Sequence, residues 1–249
     1  MGRRLITFAA LLAALIALAA WAVKNSIRKP VSSPGARTIA GAIQQFGPIH
    51  EPELRRLFNS AQVPYPPDQL LLLALKRERR LEVHASGPDQ SLRAVFSLPI
   101  FGASGTEGPK LREGDYQVPE GFYRIELLNP NSRYHLSLRV NYPAPADISR
   151  AREEERPLND LGGDIMIHGG TASAGCLAIG DPAIEKIFVL VARTGLDATQ
   201  LVIAPCDLRI TPAQTHPSTP DWTPTLYNEI LPFLETLQYL EPSRTGTNR

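Results

Sequence analysis

The chain has 249 residues with 26 basic and 25 acidic side chains, a formal charge of +1, so nothing in its balance points to nucleic acid. That length buries a full core and suits one sizeable domain with smaller additions rather than two equal domains. The longest basic cluster, "KRERR" at 76 to 80, is mixed in sign and reads as a solvated hairpin tip.

Behind "MGRR", residues 5 to 23 carry no charge and one polar side chain, Thr7, which is long enough to cross a bilayer as a helix. Ala17-Leu18-Ala19 imitates a signal-peptide ending, but the apolar run continues through Trp21 and Val23. An uncleaved N-terminal transmembrane helix is therefore the favoured reading, with a cleaved signal segment as the alternative. Arg3 and Arg4 oppose Lys24, Arg28 and Lys29, so charge alone does not orient the segment. "KNSIRKPVSSPGART" (24 to 38) is a linker, and two short helices are predicted over 38 to 46 and 51 to 63, with Pro52 in the first turn of the second.

From residue 69 the pattern becomes β. "QLLLLALK" and "RRLEVHAS" pair through a charged tip and "LRAVFSLPI" (92 to 100) follows as a third strand of a meandering sheet. A glycine-rich turn segment covers 102 to 121 and leads into strands at 122 to 128 and 134 to 142. Residues 143 to 161 are polar and read as a surface excursion; "GDIMIHG" is a strand delivering His168. Residues 181 to 195 form an amphipathic helix with an acidic start and a glycine stop, 198 to 205 a closing strand, and 223 to 240 a C-terminal helix kinked at Pro232. The predicted architecture is mainly β with a few helices. Its segments are an anchor (1–23), a linker with a helical lead-in (24–67), a catalytic-size domain (68–210) and a C-terminal helical extension (211–249).

The chemistry concentrates in "GGDIMIHGGTASAGCLAIG" (162 to 180), where His168 and Cys176 stand eight positions apart. A thiol needs a nearby base or a positive field to become a nucleophile, and a histidine at a strand end facing a cysteine across a tight glycine loop supplies the base. Gly169, Gly170 and Gly175 allow sharp turns and leave N–H groups for an oxyanion. A zinc site would have to draw on Cys206 and scattered histidines, with no CxxC and no HExxH. A Cys176–Cys206 disulfide would suit an exported protein, and a quiet buried cysteine is the bland alternative. From the pattern alone, reactive and quiet thiol both stand.

The stretch "IHGGTASAGCLAI" resembles the active-site signature of the L,D-transpeptidase catalytic (YkuD) domain, a histidine-glycine pair followed by Ser-x-Gly-Cys. The resemblance extends to "LLLALKRERRLEVHA", to "GPKLREGDYQVPEGFYRI" with Val118-Pro119-Glu120-Gly121 at the family's turn, to "NPNSRYHLSLRVNYP" and to "DPAIEKIF". It covers roughly 68 to 206 and is similar to the YafK-like branch, which shares the short His-to-Cys gap. It implies an L,D-transpeptidase-like β-sandwich or barrel acting on peptidoglycan stem peptides that contain diaminopimelate, without metal or organic cofactor. Cys176 would be the nucleophile, His168 the base and Ser173 the signature serine, with Gly175 and Cys176 lending amides to an oxyanion hole. Arg133, Tyr134 and Tyr142 lie in a matched segment and would offer charge and hydrogen bonds to a substrate carboxylate, surface or strand packing being the alternative. Two positions depart from the family: Ala174 and Ala178 stand where many members have histidine and arginine.

The resemblance implies an envelope transpeptidase making crosslinks or attaching protein to the wall. Two alternatives are a hydrolase of the same linkage that releases a wall-attached lipoprotein, and a silent wall-binding module. Its substrate places the domain in the periplasm, held by a single pass through the inner membrane or, if the N-terminus is cleaved, secreted.

Overall fold

The computed structural model describes residues 36–214, 216 and 219–239. The expected transmembrane helix and most of the linker lie outside those residues; among the described residues no helix is long and apolar enough to cross a membrane.

Nine strands form one sheet: β1 (Leu70–Leu75), β2 (Arg80–Ser86), β3 (Leu92–Pro99), β4 (Gly102–Ala103), β5 (Gly121–Ser132), β6 (His135–Val140), β7 (Met166–His168), β8 (Leu177–Ala178) and β9 (Thr199–Ala204). Their order is β3-β2-β1-β9-β5-β6-β7-β8-β4, with β1–β9 and β7–β8 parallel and the other pairs antiparallel. The expected meander holds for β1 to β3. Among the described residues four α-helices accompany the sheet: α1 (Ile39–Ser60), α2 (Pro145–Glu153), α3 (Asp181–Thr194) and α4 (Thr223–Glu235). The architecture is therefore mixed α/β around a large multi-stranded sheet, more helical than the mainly β arrangement expected from the sequence.

The reason is legible in β1. Every residue of "LLLLAL" is buried. Leu70, Leu72 and Ala74 join the core that includes α1 and α3, while Leu71, Leu73 and Leu75 join a second core formed with Leu226, Tyr227, Ile230 and Leu234 of α4. A strand apolar on both faces needs a layer on each, and the C-terminal helix supplies one of them.

The two short helices expected around residues 38 to 63 are one continuous helix, α1, running through Pro48 and Pro52. Ala42, Phe46, His50, Leu54 and Phe58 recur every four residues and are all buried, so the face toward α3 is unbroken. The N–H groups that the prolines lack would have served the carbonyls of Gln44 and Pro48, both on exposed residues. Burying Phe46, Leu54 and Phe58 contributes roughly 1.5–3 kcal/mol each, which offsets a cost of about 3 kcal/mol per interior proline. Ion pairs Lys186–Glu53 and Arg193–Glu51, each at 2.7 Å, add to the α1–α3 contact. The last helix is shorter than expected: α4 ends at Glu235, three residues after Pro232.

The turn segment between β4 and β5 is anchored from below. Lys76, at the end of β1, is buried and donates to the carbonyls of Gly108 and Val118 and to Glu120 Oε1 at 2.8 Å. Tyr227 of α4 donates to the other carboxylate oxygen, also at 2.8 Å. Asp115 closes the same segment on itself, accepting from the amides of Leu111, Arg112 and Gln117 and from Lys110.

Candidate active site

β7 and β8 are parallel neighbours, with Ile167 beside Leu177 and His168 beside Ala178. Paired residues project to the same face, and side chains alternate along a strand. One step back, Cys176 stands beside Met166, on the face that carries His168. The contact agrees with the register, because the Met166 amide donates to the Cys176 sulfur.

His168 is 3% exposed, and its Nδ1 lies 2.6 Å from the Gly169 carbonyl oxygen. A carbonyl only accepts, so Nδ1 carries the proton and Nε2 is the basic nitrogen of the neutral ring. Burial holds the imidazole below the ordinary histidine value, with the Gly169 carbonyl pulling the other way. The ring of Tyr134 stacks over the imidazole, with centroids 4.7 Å apart and planes at 25°.

Burial also moves Cys176, in this case upward from the ordinary thiol value. The Met166 amide and the more distant Lys110 ammonium pull down, and the Asp164 carboxylate pushes up. Accordingly the thiol donates to the Asp164 carbonyl oxygen, with sulfur and oxygen 3.8 Å apart. Among the described residues no hydrogen bond joins His168 to Cys176. The site rests as neutral thiol and neutral imidazole, and transfer of the proton requires the S–H to turn from Asp164 toward the ring.

The loop between them is fastened from within and from β4. Ser173 donates to the Cys176 carbonyl at 2.6 Å, so its hydroxyl staples the loop. The Gly175 amide, at φ +96°, donates to Ser104 Oγ at 2.6 Å, and Ser104 Oγ lies 3.3 Å from Ser173 Oγ. The Gly170 amide is likewise held, by Asp181 at the head of α3, at 2.7 Å. In this conformation the Gly175 amide is already donated.

The remaining candidates separate. Arg133 is exposed on the β5–β6 hairpin, next to Tyr134. Tyr142 is 4% exposed and packed in the core, and its hydroxyl donates to the Leu161 carbonyl at 3.3 Å. Ala174 is exposed, whereas Ala178 is fully buried against Gly102 of β4. Both cysteines are free thiols, which removes the Cys176–Cys206 disulfide: Cys206 is buried, pushed by burial to about 12, and donates to the Thr211 carbonyl at 3.4 Å. Among the described residues no three His, Cys, Asp or Glu side chains are grouped to hold a metal.

Sequence reasoning missed Ser104, Asp164, Lys110 and the Gly169 carbonyl. Ser104 lies 71 residues before Gly175, and only the β4–β8 pairing brings them together. The other signals are main-chain or long-range and have no side-chain pattern to betray them.

No family model matches the chain. It is 34% identical over 135 residues to YafK of Escherichia coli, a protein named as a proposed L,D-transpeptidase, with 52% of this chain and 51% of the relative aligned. The chain thus spans about half the length of the curated relatives it matches. Among solved structures, the helical cell shape determining protein Pgp2 from Campylobacter jejuni aligns with 54% of this chain and 47% of its own at 23% identity and a TM-score of 0.42. Bd1075 of Bdellovibrio bacteriovorus aligns with 70% and 59% at 17% identity and a TM-score of 0.39.

Proposed function

We propose that this chain is a cysteine acyl transferase of the L,D-transpeptidase type, acting in the cell envelope on diaminopimelate-containing stem peptides of peptidoglycan. The observation that carries the reading is the β7–β8 pairing, which brings a buried imidazole and a half-buried thiol to one face of two adjacent short strands. The similarity to YafK supports the substrate class.

In this reading Nε2 of His168 accepts the Cys176 proton as the sulfur attacks the carbonyl carbon of the L-to-D peptide bond. The proton passes from His168 to the departing amine, the terminal D-residue leaves, and the acyl group stays on sulfur as a thioester. An amine then takes the acyl group to give a crosslink or a protein attachment. Because the thiol rests protonated, His168 acts as general base during attack rather than as partner in a preformed ion pair. Arg133, exposed beside the site, is the candidate for holding a substrate carboxylate.

A second reading has water as the acceptor, releasing peptide or wall-attached lipoprotein. Ala174 and Ala178 favour it, since neither presents a charged or hydrogen-bonding side chain to an incoming amine. Labelled muropeptides incubated with wild type and Cys176→Ala, and analysed by mass spectrometry, test both. Dimer lost in the variant supports transfer, and shortened monomer lost in the variant supports hydrolysis. Identical products from both proteins would remove either enzyme and leave a wall-binding module.

A further inference from the structure

We infer that Tyr134 is a positioning residue for the His168 base, and that helix α1 holds it there through a His50–Glu185–His135 clasp. The inference rests on the proposed role of His168. The Gly169 carbonyl fixes one nitrogen of the imidazole but leaves the ring free to tilt about that bond, and the Tyr134 ring, 4.7 Å away and 25° from parallel, removes that freedom. Tyr134 is 43% exposed while the imidazole beneath it is 3% exposed, so the tyrosine is the cover between the base and water.

A hairpin tip is ordinarily a poor place for such a part, because tips move. This one is held at several points. The Tyr134 carbonyl accepts from the Gly169 amide at 3.1 Å, which the missing side chain of Gly169 makes possible. His135, at φ +72°, puts Nε2 2.7 Å from Glu185 Oε1 of α3. The second oxygen of the same carboxylate is 2.8 Å from Nε2 of His50 on α1. Phe46, one turn earlier on α1, meets the His135 ring edge-to-face at 5.3 Å. Just before α1, Arg37 and Asn131 exchange two hydrogen bonds, at 2.8 and 2.7 Å. The lead-in helix, outside the segment that resembles a catalytic domain, thus grips the hairpin next to the residue that covers the base.

The test uses the whole chain with 13C-labelled histidine, following the titration of His168 by NMR and the acylation of Cys176 by a carbapenem in parallel. The nearest other titratable groups are Tyr134, Cys176 and Asp181, which holds the adjoining Gly170 amide. Tyr134→Leu keeps apolar cover but removes the π face that favours an imidazolium, so the His168 midpoint should fall by roughly half a unit. The acylation rate at saturation should fall about tenfold with little change in KM. Tyr134→Phe, which keeps the ring, should restore both. Glu185→Gln, which weakens the clasp, should move both readings in the direction of Tyr134→Leu. An unmoved midpoint, or a change confined to KM, in Tyr134→Leu would overturn the positioning role; an unmoved midpoint in Glu185→Gln would overturn the clasp. If no variant nor wild type acylates while the midpoint still moves, the enzymatic reading fails and the placement of Tyr134 stands.

Discussion

The Ser104 hydroxyl accepts the Gly175 amide at 2.6 Å, tying the residue before Cys176 to the end of β4, 71 positions earlier. Through Ser173, 3.3 Å away, the same hydroxyl is linked to the carbonyl of Cys176. Ser104→Ala should leave a buried amide without its partner and cost about 1–3 kcal/mol of stability. The loosened loop should slow Cys176 acylation about tenfold. Urea unfolding and adduct formation followed by mass spectrometry check the two effects separately. Faster acylation in the variant would instead mean that Ser104 restrains an amide the reaction needs.

The two perturbed groups set a pH dependence. As the proposed base, His168 would act only when neutral, and its value in the folded chain lies below the ordinary 6.5, so acylation should persist below pH 6.5 before its acid limb appears. Cys176 is raised above the ordinary 9.0, so alkylation by iodoacetamide in His168→Asn should stay slow until the pH exceeds 9.0. The sign for stability follows from the same shift: the unfolded chain takes up the histidine proton first, so His168 makes the fold less stable as pH falls through 6.5. An acid limb above pH 6.5 would contradict a neutral buried base.

The pair Lys76–Glu120 supports the turn segment that approaches the loop, where the Gln117 carbonyl would lie 3.3 Å from a side-chain carbon placed on Gly175. Lys76→Met leaves the Glu120 carboxylate buried without its cation and should cost about 3–5 kcal/mol. Adding Glu120→Gln should recover part of that loss. Denaturant unfolding of both variants measures it; a loss under about 1 kcal/mol in the single variant would show that the pair is not a brace.

Ala178 is fully buried beside His168 and against Gly102, so an arginine introduced there by Ala178→Arg has no room at the surface of the site. A buried unpaired guanidinium there should destabilise by at least about 3 kcal/mol. Thermal unfolding checks this, and a variant as stable as wild type with increased crosslinked product would show that the pocket admits the charge.

Much of this was readable in the residues. β1 to β3, the strand before His168 and the helix after Cys176 follow from runs of apolar residues bounded by turns and from the glycine at 195. The continuity of α1 was not, because Pro48 and Pro52 read locally as stops and only the burial of Phe46, Leu54 and Phe58 against other elements overrides them. Nor was the second layer: "LLLLAL" does not say what covers each face, and the answer lies at residues 223 to 235. In the candidate site, type and spacing singled out the histidine and cysteine but left a reactive and a quiet thiol both open. Their surroundings were not legible, since the Gly169 and Asp164 contacts use carbonyls, Ser104 arrives through strand pairing, and Tyr134, named for a substrate carboxylate, stacks instead on His168.

The place of β9 has a consequence for how the molecule comes together. Strands β1 to β3 and strands β5 to β8 meet only across Thr199–Ala204, which pairs with β1 on one side and β5 on the other. During synthesis both parts of the sheet leave the ribosome before the strand that joins them. The hairpins can form early, but the edges of β1 and β5 stay unpaired until residues 199 to 204 are made. A chain interrupted before residue 199 should therefore carry His168 and Cys176 on β7 and β8 and still lack the strand that ties their part of the sheet to β1–β3.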